Sequence, residues 1–255
     1  MHMKNIAKVL FIFLFTFFLA GWAHLENSAS AAPQPNYVKD LPPGHSMHDY
    51  LLYLAKDLDA FWSPIMVGDG YADPATTYSF PAPGVPVKTN CAVEEPADFP
   101  AQAFYCGFDD QIVMTQEMAR QLWDGTYRTN YEAPVTFKAG DFSVAFVMAH
   151  EYAHNLQTEL GWLPVYEEEE PLATSRSLEL NADCLAGVWT RSVNDRGLLD
   201  ASDLNEAKRT LTDLGQDPSD PNPTHGTPQE RSKAFLLGYN NGTAPSCDPY
   251  LLNPY

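Results

Sequence analysis

Residues 141–160 read DFSVAFVMAHEYAHNLQTEL, and the fold turns on this stretch. Phe142, Ala145, Phe146, Ala149, Ala153, Leu156 and Leu160 recur at three- and four-residue spacing, which predicts one long helix with an apolar stripe. Asp141, directly after Gly140, is placed to cap its start, and Gly161 to end it. Within this helix His150, Glu151, Tyr152, Ala153 and His154 match H-E-x-x-H. Residues four apart on a helix are offset by about 40° around the axis and about 6 Å along it, so both imidazoles point the same way. One cation can then bridge them through bonds of about 2.0–2.1 Å. Glu151 is turned about 100° from His150, which aims its carboxylate at a metal's water rather than at the metal. The bland alternative is a helix with two exposed histidines and an accidental glutamate. It leaves unexplained why the motif sits in the most apolar helix of the chain, beside the small residues Ala149 and Ala153, which let another helix approach.

A catalytic zinc needs a third protein ligand and an open fourth position. The extended H-E-x-x-H-x-x-G-x-x-H pattern fails here at both its Gly and its third His, because Asn155 to Leu160 follow the second histidine. A glutamate on a following helix is the alternative. Glu179 fits, with Asp183 four residues later on the same face to accept the free N–H of a ligand histidine. The run Glu167 to Glu170 competes on charge alone and reads more simply as a solvated loop.

Reading outward, Leu51, Leu54, Ala55, Leu58, Phe61 and Trp62 predict a first helix over 47–62, and residues 64–100 read as irregular chain with brief strands such as Thr76 to Phe80. Ala103 to Cys106 and Gln111 to Met114 read as two strands of a hairpin, the second a candidate edge for an extended peptide. Thr115 caps a short helix ending before Gly125, and further helices run from Thr174 towards Gly197 and over Leu204 to Leu214. Thr227-Pro228-Gln229-Glu230 is a capping box with proline at the first helical position, opening a helix to Gly238 or Gly242. No internal repeat is present.

The chain has 255 residues, 45% of them apolar, enough for one domain with a real core. Lys4 and Lys8, an uncharged apolar run over 9–23, and Ala29-Ser30-Ala31 predict a signal peptide over 1–31, with an uncleaved membrane anchor as the alternative. Residues 32–44 are Pro-rich and read as a flexible arm, leaving 45–255 as a single catalytic domain. The net charge is -18, which makes nucleic acid and anionic membranes poor partners, and no stable membrane association is expected after cleavage. Four cysteines in an exported chain point to disulfides. Three pairings are possible; the short Pro-containing loop favours Cys91 with Cys106, leaving Cys184 with Cys247, while free buried thiols remain the alternative.

These stretches resemble the putative neutral zinc metallopeptidase family, a gluzincin-like bacterial group. The likeness rests on Phe104-Tyr105-Cys106 with Asp110 to Val113, His150 to His154 with Gln157, Arg176 to Leu180 with Ala182-Asp183-Cys184, and His225-Gly226-Thr227 with Glu230-Arg231. It implies a mainly helical α+β, zincin-like fold with a small antiparallel sheet packed on the active-site helix. It also implies Zn2+ held by His150, His154 and Glu179, with Glu151 as general base. The expected function is that of a secreted zinc metallopeptidase acting on peptides or proteins. The developing oxyanion needs a donor, for which His225 and Tyr152 are candidates. Arg176 and Arg231 read as surface cations, with anchoring of a ligand carboxylate as the alternative. Two rival functions stay open. A deformylase-like amidohydrolase would use Cys106 as a thiolate ligand, and a non-catalytic zinc-stabilised binding protein would leave Glu151 without a role.

Overall fold

The computed structural model describes residues 45–91, 93–94, 102–127, 139–163, 173–221 and 223–252, all within the unit Pro35–Tyr255. The signal-peptide and arm segments and the Glu167 to Glu170 run lie outside the described residues. Among the described residues no helix is long and apolar enough to cross a membrane.

The first helix, α1 (Met47–Gly68), starts on a capping box between Ser46 and Asp49. It buries Leu51, Leu54, Ala55, Leu58 and Trp62, the stripe its spacing predicts. It runs one and a half turns further than expected, straight through Pro64. Proline costs a helix the bond to the carbonyl four residues back. Here that carbonyl belongs to Ala60, which is exposed, so water can take the missing donor's place.

The strands β1 (Thr77–Ser79), β4 (Ala103–Cys106) and β5 (Gln111–Met114) form one sheet in the order β1-β5-β4, and β2 (Val87–Lys88) pairs with β3 (Val93–Glu94) in another. The hairpin β4–β5 is antiparallel as predicted, but β1 joins β5 in parallel, so the sheet is mixed. This corrects the assignment of the peptide-docking edge. Gln111 to Met114 is the central strand with both sides paired, and β1 and β4 are the edges among the described residues. Cys91 and Cys106 are disulfide-bonded, S–S 2.03 Å, which ties β4 to the preceding loop.

The remaining elements are α2 (Gln116–Asp124), α3 (Asp141–Glu159), α4 (Ser175–Asp195), α5 (Asp203–Asp213), α6 (Pro228–Asn241), a 3-10 turn (Ala244–Cys247) and α7 (Asp248–Leu252). Of these, α3 is the centre of the fold. It packs against α1, α2, α4, α5, β4 and β5. A single stripe understates it, because Val144, Val147, Met148 and Tyr152 are buried as fully as Phe142 and Phe146. A helix apolar on most faces belongs in the interior. Its start also departs from expectation. Gly140 is the N-cap and Asp141 the first helical residue, while Glu206 of α5 accepts from the Phe142 amide at 3.1 Å.

The tightest helix crossing lies elsewhere, between α4 and α6. A Cβ on Gly187 would collide with the carbonyl of Phe235, and one on Gly238 with the carbonyl of Cys184. Backbone meets backbone there, and the disulfide Cys184–Cys247, S–S 2.07 Å, fastens the same region. Gly238→Ala is therefore expected to destabilise the chain by about 2–3 kcal/mol or more, since neither backbone can yield as a side chain would. Urea unfolding of the variant checks this, and an unchanged midpoint would contradict the close crossing.

Candidate metal centre

α3 and α4 face each other so that His150 and His154 meet Glu179. The Nε2 of His150 lies 3.1 Å from Glu179 Oε2 and 3.2 Å from His154 Nε2, and His154 Nε2 lies 3.6 Å from Glu179 Oε1. In a tetrahedral zinc site, bonds of about 2.0–2.1 Å place neighbouring donors about 3.3 Å apart. The three donors thus stand at the spacing such an ion requires.

The hydrogen-bond network assigns the protons. Asp183 is fully buried, and its Oδ1 lies 2.9 Å from His150 Nδ1. A carboxylate only accepts, so Nδ1 carries the hydrogen and Nε2 of the neutral ring is a lone pair. On the other ring the assignment passes through three residues. Asn181 Nδ2 donates to the Cys247 carbonyl at 3.1 Å, so its Oδ1 accepts from Gln157 Nε2 at 2.9 Å. That Nε2 also donates to the Leu178 carbonyl at 2.8 Å, which turns Gln157 Oε1 towards His154 Nδ1, 2.9 Å away. His154 Nδ1 is then the donor, and its Nε2 is a second lone pair. Two lone pairs and a carboxylate converge. A proton on His150 Nε2 relieves one of these contacts; a divalent cation relieves all of them.

Electrostatics show the same demand for positive charge at this point. Burial alone would lower the His150 pKa, but Asp183 and Glu179 outweigh it and hold the metal-free imidazole up at about 10. Burial would raise Glu179, yet His150, His154 and Arg231 together keep it well below the usual carboxylate range. Asp183 is likewise held low against burial, chiefly by Arg231.

Arg231 is the residue that sequence reasoning misplaced. It is buried, not a surface cation: its Nε donates to Asp183 Oδ2 at 2.8 Å, one terminal nitrogen donates to Asp183 Oδ1 at 2.9 Å, and the other to the Leu214 carbonyl at 3.2 Å. Arg176 pairs with Glu230 instead. Gln157 and Asn181 were not singled out for a role either, although Gln157 lies one turn beyond His154, a spacing that puts the two side by side.

Glu151 is 9% exposed, lines the same cleft and has no hydrogen-bond partner among the described residues. Burial raises its pKa above the ordinary carboxylate value. The cleft has a volume of about 1000 Å3, and Ala103, Phe104 and Tyr105 of the edge strand β4 form part of its wall. His225 stands at its mouth, half exposed, with Nε2 3.7 Å from Glu179 Oε1. It is carried by a turn in which Gly226 has φ +85° and lies against Leu180, so a side chain there would be both strained and crowded. Tyr152 is not at the site. It is fully buried and its hydroxyl donates to Asp59 at 3.1 Å, behind the helix, which removes it as an oxyanion donor. Cys106 is fully buried and disulfide-bonded, so it offers no thiolate.

A family model described as "Putative neutral zinc metallopeptidase" matches residues 84–250. YpfJ of Escherichia coli, described as uncharacterized, is 34% identical over 127 residues, which cover 44% of this chain and 44% of YpfJ. The match therefore spans less than half the length of that relative. The uncharacterized proteins Rv2575 of Mycobacterium tuberculosis and Mb2605 of Mycobacterium bovis are each 28% identical over 214 residues, 76% of this chain and 67% of theirs. No solved structure matches.

Two outcomes follow from the buried Arg231–Asp183–His150 chain. Arg231→Met leaves an uncompensated buried carboxylate and is expected to cost about 3–5 kcal/mol in denaturant unfolding. In the metal-free chain, His150 titrates at about 10 folded against about 6.5 unfolded. A pKa raised by folding adds stability that is complete below the unfolded value and lost as pH climbs through the folded one. Metal-free stability should thus decline between about pH 6.5 and pH 10, measured by urea titration at stepped pH, and a rise over that window would contradict the assignment.

Proposed function

The chain belongs to the putative neutral zinc metallopeptidase family, and from that premise we propose a zinc-dependent peptidase in which His150, His154 and Glu179 hold the metal and Glu151 is the general base. One observation carries the reading: two imidazole nitrogens and a carboxylate converge beside a second carboxylate, Glu151, that lines the cleft and has no hydrogen-bond partner among the described residues. The donor set of two imidazoles and one carboxylate suits zinc.

When bound there, zinc would acidify a water and polarise a carbonyl group. The chain's own residues supply the rest. Glu151, raised by burial, takes the proton of the attacking water at a carboxylate oxygen and returns it to the amine nitrogen as the peptide bond breaks. His225, at the rim, donates from its ring to the oxygen on which negative charge develops. Asp183, clamped by Arg231, keeps the His150 ring in one tautomer and one orientation. The family implies peptide or protein substrates. An extended peptide adding along β4, the edge strand that walls the cleft, would bring its backbone past Glu151.

The rival functions lose their footing on specific residues. The Cys91–Cys106 bond removes the thiolate that a deformylase-like centre needs. A purely structural site gives Glu151 nothing to do and is normally closed by four protein ligands. Export is part of the proposal, supported by two disulfide-bonded pairs, which persist in oxidising compartments.

Zinc content and cleavage of a peptide library test the assignment of roles. Glu151→Gln should retain zinc while turnover drops about 10²–10⁴-fold, and Glu179→Ala should lose zinc affinity. His225→Ala should lower kcat about 10²–10³-fold with little change in KM. Full activity in Glu151→Gln, or unchanged zinc affinity in Glu179→Ala, would refute the corresponding role.

A further inference from the structure

A second convergence of carboxylates lies at the start of α3. Asp141, Asp203 and Glu206 are 1%, 0% and 0% exposed, and one oxygen from each stands within 4.8 Å of the others. Asp141 precedes His150 by nine residues, about 13 Å of helix rise, so this cluster is separate from the His150 centre.

Helix capping accounts for only part of it. Glu206 Oε2 accepts from the Phe142 amide at 3.1 Å, and Asp203 Oδ2 accepts from the Asp200 amide at 2.6 Å. Those bonds suit a helix N-terminus, which favours negative charge. What remains is in excess of that need. Both carboxylate oxygens of Asp141, and Oδ1 of Asp203, are enclosed and accept no hydrogen bond of good geometry among the described residues, the Asp141 and Phe142 amides only lying near the Asp141 carboxylate. Among the described residues neither Asp141 nor Asp203 pairs with an arginine or lysine. Buried polar atoms are nearly always satisfied, and a group of them aimed at one point calls for a ligand there.

We propose that Asp141, Asp203 and Glu206 form a second cation site, which takes a hard divalent ion, calcium, and fastens the start of α3 to α5. The donor set is all oxygen, which suits calcium or magnesium and not a soft metal. Three carboxylates offer up to six oxygens, which fits the six to eight that calcium takes better than it fits magnesium, which keeps several waters. The crowding of these carboxylates shows in their protonation. Burial, with Glu206 adding, pushes Asp141 up to about 6, and burial, with Asp200, Asp141 and Glu206 adding, pushes Asp203 up to about 8. A bound cation reverses both shifts by displacing the protons.

The test is calorimetric titration of calcium, and separately of magnesium, into the full chain supplied with zinc, together with thermal unfolding. One calcium ion should bind per chain, more tightly than magnesium, and saturating calcium should raise Tm by ~5–10 °C. Asp203→Asn and Asp141→Asn keep the shape of the side chain and should each weaken calcium binding at least about tenfold, the loss of one charged ligand. Glu179→Ala should leave calcium binding intact, which separates this site from the zinc reading. Two results would overturn the proposal. One is no calcium binding by the wild type together with a higher Tm in Asp203→Asn, which would mean that protons alone neutralise the cluster. The other is calcium binding that persists in the Asp141→Asn/Asp203→Asn double variant, which would place the ion elsewhere.

Discussion

Asp183 is wholly enclosed and yet charged, and the geometry of the centre depends on how that charge is kept. Arg231 supplies it with two N–H donors on one side, and the His150 Nδ1–H faces it on the other. Neither partner is dispensable, because an isolated buried carboxylate would take up a proton or draw in water. The arrangement fixes which nitrogen of His150 faces Asp183, and so which one faces Glu179 and His154. His154 is fixed by a different route, through Gln157 and Asn181 to a backbone carbonyl beside the Cys184–Cys247 disulfide. Two independent networks therefore aim two rings at one point. The close crossing of α4 with α6 brings them together, since α4 carries Glu179, Asn181 and Asp183 while α6 carries Arg231.

The same logic explains why α3 is interior along most of its length. A helix packed on several sides cannot rotate, so the angle of about 100° between His150 and Glu151 becomes a fixed angle in space. Burial also acts on Glu151, raising its carboxylate above the ordinary value, the direction that the proposed general-base role needs. The cost appears at the helix start, where α5 brings the Glu206 carboxylate against Gly140 and the Phe142 amide to complete the cap. One rigid element thus carries both the candidate metal centre and Asp141 of the acidic cluster.

What the sequence made legible was local. The spacing of His150 and His154, the E-x-x-x-D spacing of Glu179 and Asp183, and the caps at Thr115, Thr174 and Thr227 are all read from residues within a turn or two of each other. What it hid was tertiary. Arg231 looked like a surface cation because its partner lies 48 residues away across a helix crossing, and nothing in its own helix announces that contact. The parallel pairing of β1 moved the candidate docking edge from β5 to β4, and no hairpin rule foresees a third strand. Tyr152 was a different case. Two residues on from His150 it stands about 200° round the helix, so periodicity alone could have removed it from the site.

The central claim is the ligand set, and zinc K-edge X-ray absorption of the zinc-loaded full chain tests it most directly. The account predicts a light-atom shell of nitrogen and oxygen at about 2.0–2.1 Å, with the outer scattering of two imidazoles and no sulfur. A sulfur shell at about 2.3 Å, or scattering from only one imidazole, would contradict it.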